Sequence, residues 1–367
     1  MKRRVLRFAA ALAILGATVA PLAAAGQESD AHPYSWGLAF PRSLAIDQNG
    51  HLLVAVQGSG NADSAVLRLR DLDGDGMASN GAEIRPVLNN LPSNALVSPE
   101  DPEAREILGA SGLAVSADGE IYVVTGQSLL DPEHDKQFNS VWSTAAENTS
   151  GNQFRVANPY ASIGRAEWQM NPDGGALDTN GYALVVDADG IAYVNDAGAN
   201  TTWKVSPDGS VVPYAVYPAF PNPIDFGPPV VDMVPTGIAI GPDGALYVTF
   251  LTGFPFLEGA SVVYRLEDLD GDGDALEAGE MEVYAEGLTT ATALAFDADG
   301  NLYATEFRGF LTGQDMATGR VVMWDGAEWH VVADGLVSPT GLAIGWDNTV
   351  YVSQEFIGVV SAIHPGE

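Results

Sequence analysis

Gly237-Ile-Ala-Ile-Gly-Pro-Asp-Gly-Ala-Leu-Tyr-Val248 is the stretch whose reading decides the fold. Two short apolar runs alternate in period two around Pro-Asp-Gly, and the glycine accepts the positive φ that a tight hairpin turn demands. The pattern occurs six times: SLAIDQNGHLLV from Ser43, GLAVSADGEIYV from Gly112, ALVVDADGIAYV from Ala183, the quoted copy, ALAFDADGNLYA from Ala293 and GLAIGWDNTVYV from Gly341. Gly50, Gly119, Gly190, Gly244, Gly300 and Asn348 fill the turn position. Successive copies lie 48 to 71 residues apart. That spacing holds one four-stranded blade per copy, so the chain is expected to be an all-β, six-bladed β-propeller.

The side chains agree with radial packing. Ser43, Gly112, Ala183, Gly237, Ala293 and Gly341 are small, as are the residues two further on, except Val185. Six innermost strands crowding one axis need such trimming, whereas a solenoid has no axis to crowd. Tyr122, Tyr193, Tyr247, Tyr303 and Tyr351 recur on the second strand, and read as packed rings whose hydroxyls find backbone partners. The last copy is followed by a single strand from Gly358 and then the chain stops. A strand over residues 34–38 is therefore expected to complete that blade and close the ring. Two insertions, residues 127–179 and 217–234, exceed ordinary blade connections and point to a working face for a small molecule or a protein partner.

Residues 1–25 read as a signal peptide: basic Met1-Lys2-Arg3-Arg4, an apolar stretch from Phe8 to Ala20, and Ala23-Ala24-Ala25. This predicts a secreted or periplasmic propeller of residues 26–367 with no membrane span in the mature chain. Losing the leader removes four basic residues and no acidic ones, which takes the net charge from −32 to −36. So acidic a surface repels phosphate backbones, which argues against nucleic acid and favours cations. With no cysteine, thiol catalysis, disulfides and Cys-type metal sites are excluded.

The hairpins resemble NHL-type and lactonase-like propellers. Asn171-Pro-Asp-Gly-Gly, Asp196-Ala-Gly-Ala-Asn200, the run from Val234 to Val248 and Leu251-Thr-Gly-Phe-Pro-Phe resemble the ScyD/ScyE family of exported proteins associated with biosynthesis of the pigment scytonemin. That resemblance implies a secreted six-bladed propeller linked to pigment or secondary-metabolite handling, with no established reaction.

Two nearly identical acidic turns, RLRDLDGDG from Arg68 and RLEDLDGDG from Arg265, lie 197 residues apart. Asp71, Asp73 and Asp75, and likewise Asp268, Asp270 and Asp272, take positions 1, 3 and 5 of an EF-hand-like loop, with glycine at position 6. Position 7, Met77 or Asp274, offers a carbonyl. The closing acid falls at position 13, as Glu83 or Glu280, in both copies. Calcium is the cofactor this pattern predicts; the alternative is a solvated Asp/Gly turn.

For chemistry, Asp196 and Glu306 end second strands on one face of the disc, with Asn195 beside the first. They are candidates for a central cation or an acid–base pair, which would make the protein a metal-dependent lactonase or lyase. The other expectation is that each braces a neighbouring loop. The five histidines, His32, His51, His134, His330 and His364, do not gather on this face, and no nucleophile elbow or phosphate loop occurs. The leading expectation is a calcium-binding scaffold or binding protein.

Overall fold

Each of the six hairpins is the inner half of a four-stranded antiparallel sheet in the computed structural model, which describes residues 31–97, 105–127, 137–144, 157–308 and 319–364. The expected signal peptide and His134 lie outside the described residues. Blade 1 runs Pro41–Ile46, Leu52–Val56, Ser64–Leu69, Ile84–Leu91, and blade 2 Ala110–Val115, Ile121–Thr125, Ser140–Thr144, Ala157–Ser162. Blade 3 comprises Gly181–Val186, Ala192–Asp196, Thr201–Val205, Val211–Val216. Blade 4 comprises Met233–Ile240, Leu246–Thr252, Ser261–Leu266, Met281–Leu288, and blade 5 Ala291–Phe296, Leu302–Glu306, Gly319–Trp324, Trp329–Leu336. Blade 6 takes Pro339–Ile344, Val350–Gln354 and Val359–Ile363 from the end of the chain and its outermost strand, Ala31–Ser35, from the beginning.

Ring closure thus follows the expected plan, with the strand three residues earlier than residues 34–38. Ala31 pairs with Ile363 and Ser35 with Val360. Gly37, at φ 72°, turns the chain out of the ladder before Leu38, whose N–H donates to the Gly358 carbonyl at 3.0 Å.

Every inner strand shifts register just before or beside its small residue, for example between Ala110 and Gly112 and between Pro339 and Gly341. The shift bends the strand where the axis is most crowded. At three blade junctions the small residue is glycine for want of space. A Cβ on Gly112 would stand 2.7 Å from the Ala183 Cα, one on Gly237 would stand 2.7 Å from the Ala293 carbonyl carbon, and one on Gly341 would overlap the Arg42 carbonyl. Even-numbered blades therefore carry glycine and odd-numbered blades Ser or Ala, so each glycine lets the next blade close upon it.

The recurring tyrosines are packed rings, but their hydroxyls turn to side chains rather than to backbone. Tyr122 donates to Glu120 at 3.1 Å and Tyr247 to Asp243 at 3.1 Å. The ring lies along its strand towards the hairpin turn, and acidic turn residues stand where it ends.

Antiparallel order places the crossovers between blades, and the ends of the second strands, on one face. Three crossovers are elaborated there. A hairpin of Asn94–Val97 and Arg105–Leu108 leads into blade 2, a helix Ile163–Met170 into blade 3, and a hairpin of Phe220–Pro221 and Val230–Val231 into blade 4. The links into blades 5 and 6 are two residues each. The acidic turns join third to fourth strands and so lie on the opposite face, on blades 1 and 4, half a turn apart.

Candidate metal clips and the axial mouth

Ser64–Leu69 and Ile84–Leu91 hold the first clip, residues 71–83, and Ser261–Leu266 and Met281–Leu288 the second, residues 268–280. Their local hydrogen bonds match. Asp71 accepts the N–H groups of Gly74 and Gly76 at 2.7 and 2.9 Å, and Asp268 those of Gly271 and Gly273 at 2.6 and 2.8 Å. The position-13 glutamate reaches back in both: Glu83 accepts from Leu72, Ser79 and Asn80, and Glu280 from Leu269 and Glu277, the counterparts of Leu72 and Asn80. Four glycines at positive φ, Gly74, Gly76, Gly271 and Gly273, make the bends that L-residues with side chains avoid.

Carboxylate oxygens of Asp71, Asp73 and Glu83 lie within 4.8 Å of one another, as do those of Asp268, Asp270 and Glu280. The second clip adds overlapping groups, Asp270 with Asp272 and Glu277, and Asp274 with Glu277 and Glu280. Asp75 joins no such group; its carboxylate accepts from the Met77 N–H at 2.9 Å. Glu277 was not among the expected ligands, although an acid inside the second acidic run was there to be read.

Glu83 and Glu280 have 2% and 3% of their surface exposed. The N–H groups of Ser79 and Leu72 hold Glu83 below its ordinary pKa, and that of Leu269 does so for Glu280. Each clip therefore gathers carboxylate oxygens of the kind a hard divalent cation takes.

Each clip also holds the outermost strand of the preceding blade. The Asp71 N–H donates to the Tyr34 hydroxyl at 3.2 Å and the Ala78 N–H to the Tyr34 carbonyl at 2.7 Å. Across the ring the Ala275 N–H donates to the Tyr214 carbonyl at 2.8 Å. Tyr34 packs edge-on against Tyr351 at 5.1 Å, and Tyr214 against Tyr193 at 4.9 Å.

On the other face, Asp196, Glu306 and Asn195 are fully buried and fully engaged. Asp196 accepts from Thr179 Oγ1, the N–H groups of Asn180, Gly198 and Ala199, and Trp203 Nε1, at 2.6 to 3.2 Å. Burial raises its pKa against the pull of these donors. Glu306 accepts the Thr289 N–H at 2.5 Å and pairs with Arg320. Asn195 donates to the carbonyls of Thr236 and Gly237, both at 3.1 Å, and accepts from Thr202. Gln354 at the same place in blade 6 accepts the Val337 N–H at 2.7 Å. An acceptor ending the second strand thus ties down the loop entering the same blade in three blades, by carboxylate or by amide.

The axis itself is a tunnel of about 340 Å³ lined by inner-strand residues. Arg42, Ser111 and Tyr182 stand at its mouth, with the Arg42 guanidinium 4.3 Å from the centre of the Tyr182 ring. Glu355 lies beside Arg42 and accepts from Gln57 Nε2 at 2.6 Å. Burial raises the Glu355 pKa and the neighbouring Arg42 lowers it. This network was missed in the sequence, although Arg42 is the one cation among the six residues preceding the inner repeats. Also unforeseen is Glu167 on the crossover helix, 1% exposed, with its pKa pushed up to about 8 by burial and then by Asp196, Asp173 and Asp178.

Residues 227–364 match a family described as a domain of unknown function, DUF7133. No curated protein matches the chain. Among solved structures, an aldose sugar dehydrogenase from Streptomyces coelicolor in its PQQ-bound form aligns with a TM-score of 0.54 at 14% identity, over 90% of this chain and 95% of that one. A gluconolactonase from Xanthomonas campestris aligns at 0.52 and 13% identity, over 90% and 87%. A streptogramin B lyase aligns at 0.50 and 12% identity, over 90% and 96%. At these identities the likeness is one of fold: the chain is a six-bladed β-propeller, built like proteins of several different chemistries.

Proposed function

We propose that the chain is an exported, calcium-binding propeller that works as a binding or scaffold protein, its ligand or partner meeting the face that carries the three elaborated crossovers. The observation that carries the reading is the pair of clips: one ring, two opposite blades, the same carboxylates closed by the same N–H groups. Asp71, Asp73 and Glu83 would hold one cation and Asp268, Asp270 and Glu280 the other, with Asp272, Asp274 and Glu277 in reach of the second. A cation there would fasten Tyr34 and Tyr214 through the hydrogen bonds described, so calcium would act on the fold and not on a substrate. Export rests on the leader-like residues 1–25, and a link to pigment or secondary-metabolite handling rests on the ScyD/ScyE resemblance.

A metal-dependent lactonase or lyase is the second reading, supported by the likeness to a gluconolactonase. It would use Asp196, Glu306 and Asn195, whose oxygens already accept hydrogen bonds from neighbouring loops and strands, and this favours the first reading. Elemental analysis of purified protein, with melting measured in calcium and in chelator, tests both. Two calcium ions per chain and a lower melting temperature in chelator are expected. Identical melting in the two buffers would sink the clip assignment, and a tightly held third metal that leaves together with turnover of lactones would favour the enzyme.

A further inference from the structure

Two buried polar atoms of residues that line the tunnel mouth, Arg42 Nε and Ser111 Oγ, have no hydrogen-bond partner among the described residues, and neither has Gln57 Oε1, whose amide nitrogen donates to the Glu355 beside Arg42. Ser111 and Gln57 are each 1% exposed. Folded proteins pair nearly all such atoms, so orphans on the tunnel wall and on the side chain behind Glu355 point to a ligand that pairs them. The arginine is held ready. Its carbonyl accepts from Ser353 Oγ against Gly341, and its guanidinium rests on the Tyr182 ring.

The donors and acceptors define the ligand. Arg42 Nε can only donate, and with the Ser111 hydroxyl, which also lines the tunnel, it offers an oxygen acceptor two partners. Gln57 Oε1 and the Glu355 carboxyl can take a donor from the same molecule. An anion is disfavoured by the Glu355 carboxyl, which accepts from Gln57 and lies beside Arg42. A cation is disfavoured by Arg42 itself. Below the mouth the wall is apolar, with Leu44, Ala45, Leu113 and Ala114 from the first two blades.

We propose that the axial mouth binds a small neutral molecule bearing an amide-like pair, a carbonyl beside an N–H, with its apolar remainder in the tunnel. This rests on the reading of the chain as a binding protein and names the class of its ligand. Three probes of one shape, benzamide, benzoate and benzamidinium, separate the charge states when titrated into the whole protein and followed by ligand-observed NMR. Benzamide is expected to bind at least about tenfold more tightly than either ion, since a buried site built to pair both groups rejects an analogue that leaves one unpaired. Arg42→Met should abolish that preference, and Ser111→Ala, a smaller change that keeps the fold if the first does not, should weaken benzamide about fivefold. Preference for benzoate, no binding of any probe, or binding unchanged in Ser111→Ala would overturn the assignment. The calcium count is measured separately, so a failed clip reading and a failed mouth reading give different results.

Discussion

The two clips are alike down to individual hydrogen bonds, yet they hold different kinds of strand. The second fastens Tyr214 on Val211–Val216, which continues directly from the third strand of its own blade and is packed by the helix Ile163–Met170. The first fastens Tyr34 on Ala31–Ser35, which reaches its blade from the other end of the chain and is joined to it by a ladder containing Pro33, a residue with no N–H to give. Closing a loop that spans the whole ring costs chain entropy that a hairpin does not. One local device, written twice in nearly the same letters, therefore carries different weight according to what the topology has already secured. The second clip also has Asp274 and Glu277 where the first has Met77 and Asn80, while Lys204 Nζ donates to its Gly273 carbonyl at 2.5 Å.

The largest effect is expected from breaking the clips one at a time. Asp71→Ala removes the acceptor of two N–H groups and a calcium ligand, so the variant loses both the stability that bound calcium confers and the bonds that shape the turn. Hydrogen exchange should quicken in Ala31–Ser35 and Val359–Ile363, and the melting temperature should fall by several degrees. Asp268→Ala should lose the other cation with a smaller fall and no quickening of exchange at the ring closure. Equal falls, or a greater one for Asp268→Ala, would refute the idea that topology sets the weight of each clip.

Much of this was open to reading in the sequence because its signals are local. Six turns, four of them Asp-Gly, one Asn-Gly and one Asp-Asn, with flanking alternation specify six hairpins, and the 1-3-5-13 spacing of acids specifies a turn that closes on its own glutamate. The strand Ala31–Ser35 was misplaced by three residues because its end is set by Gly37 and by pairing with Val360, a partner at the far end of the chain. The helix Ile163–Met170 is legible in the sequence only as polar insertion, since one amphipathic turn pair among Asn, Gly and Pro leaves little periodicity. Arg42, Gln57, Ser111, Tyr182 and Glu355 come from four blades, and no spacing along the chain records that they meet.

A middle-sized effect sharpens the comparison through that helix, the extra support of the second clip's strand. The groups acting on Glu167 are all acids, Asp196, Asp173 and Asp178; of the strands packed on the helix, Ser140–Thr144 has no titratable residue and Val211–Val216 has only Tyr214. Because its pKa is raised from 4.5 to about 8, the folded protein keeps a proton that the unfolded chain releases. Stability from this group is complete below the unfolded value and is lost as pH rises through that window, by at most about 1.4 kcal/mol per pH unit and less after solvent screening. Glu167→Gln should flatten this slope and raise the melting temperature at pH 8 relative to wild type, with little change at pH 4. An unchanged pH profile would show that Glu167 is solvated and does not burden the helix.

The smallest effect is expected where a carboxylate only braces. Glu306 in blade 5 and Gln354 in blade 6 occupy the same place, and each accepts the N–H of the residue seventeen positions earlier, Thr289 or Val337. Blade 6 shows that an amide oxygen suffices for this bond. Glu306→Gln keeps that acceptor and gives up the pairing with Arg320 and, at 3.9 Å, with Arg308, whose side chains are 29% and 18% exposed and can turn to water. Pairs with one partner so open are worth about 1 kcal/mol or less. The variant should melt within about 2 °C of wild type and hold the same number of calcium ions. Glu83→Gln, the same chemical change inside a clip, should lose a cation, because there the charge itself is the ligand. A calcium count that falls in Glu306→Gln, or one that survives in Glu83→Gln, would reverse the roles assigned to the two acids and move the metal from the rim to the face around the axis.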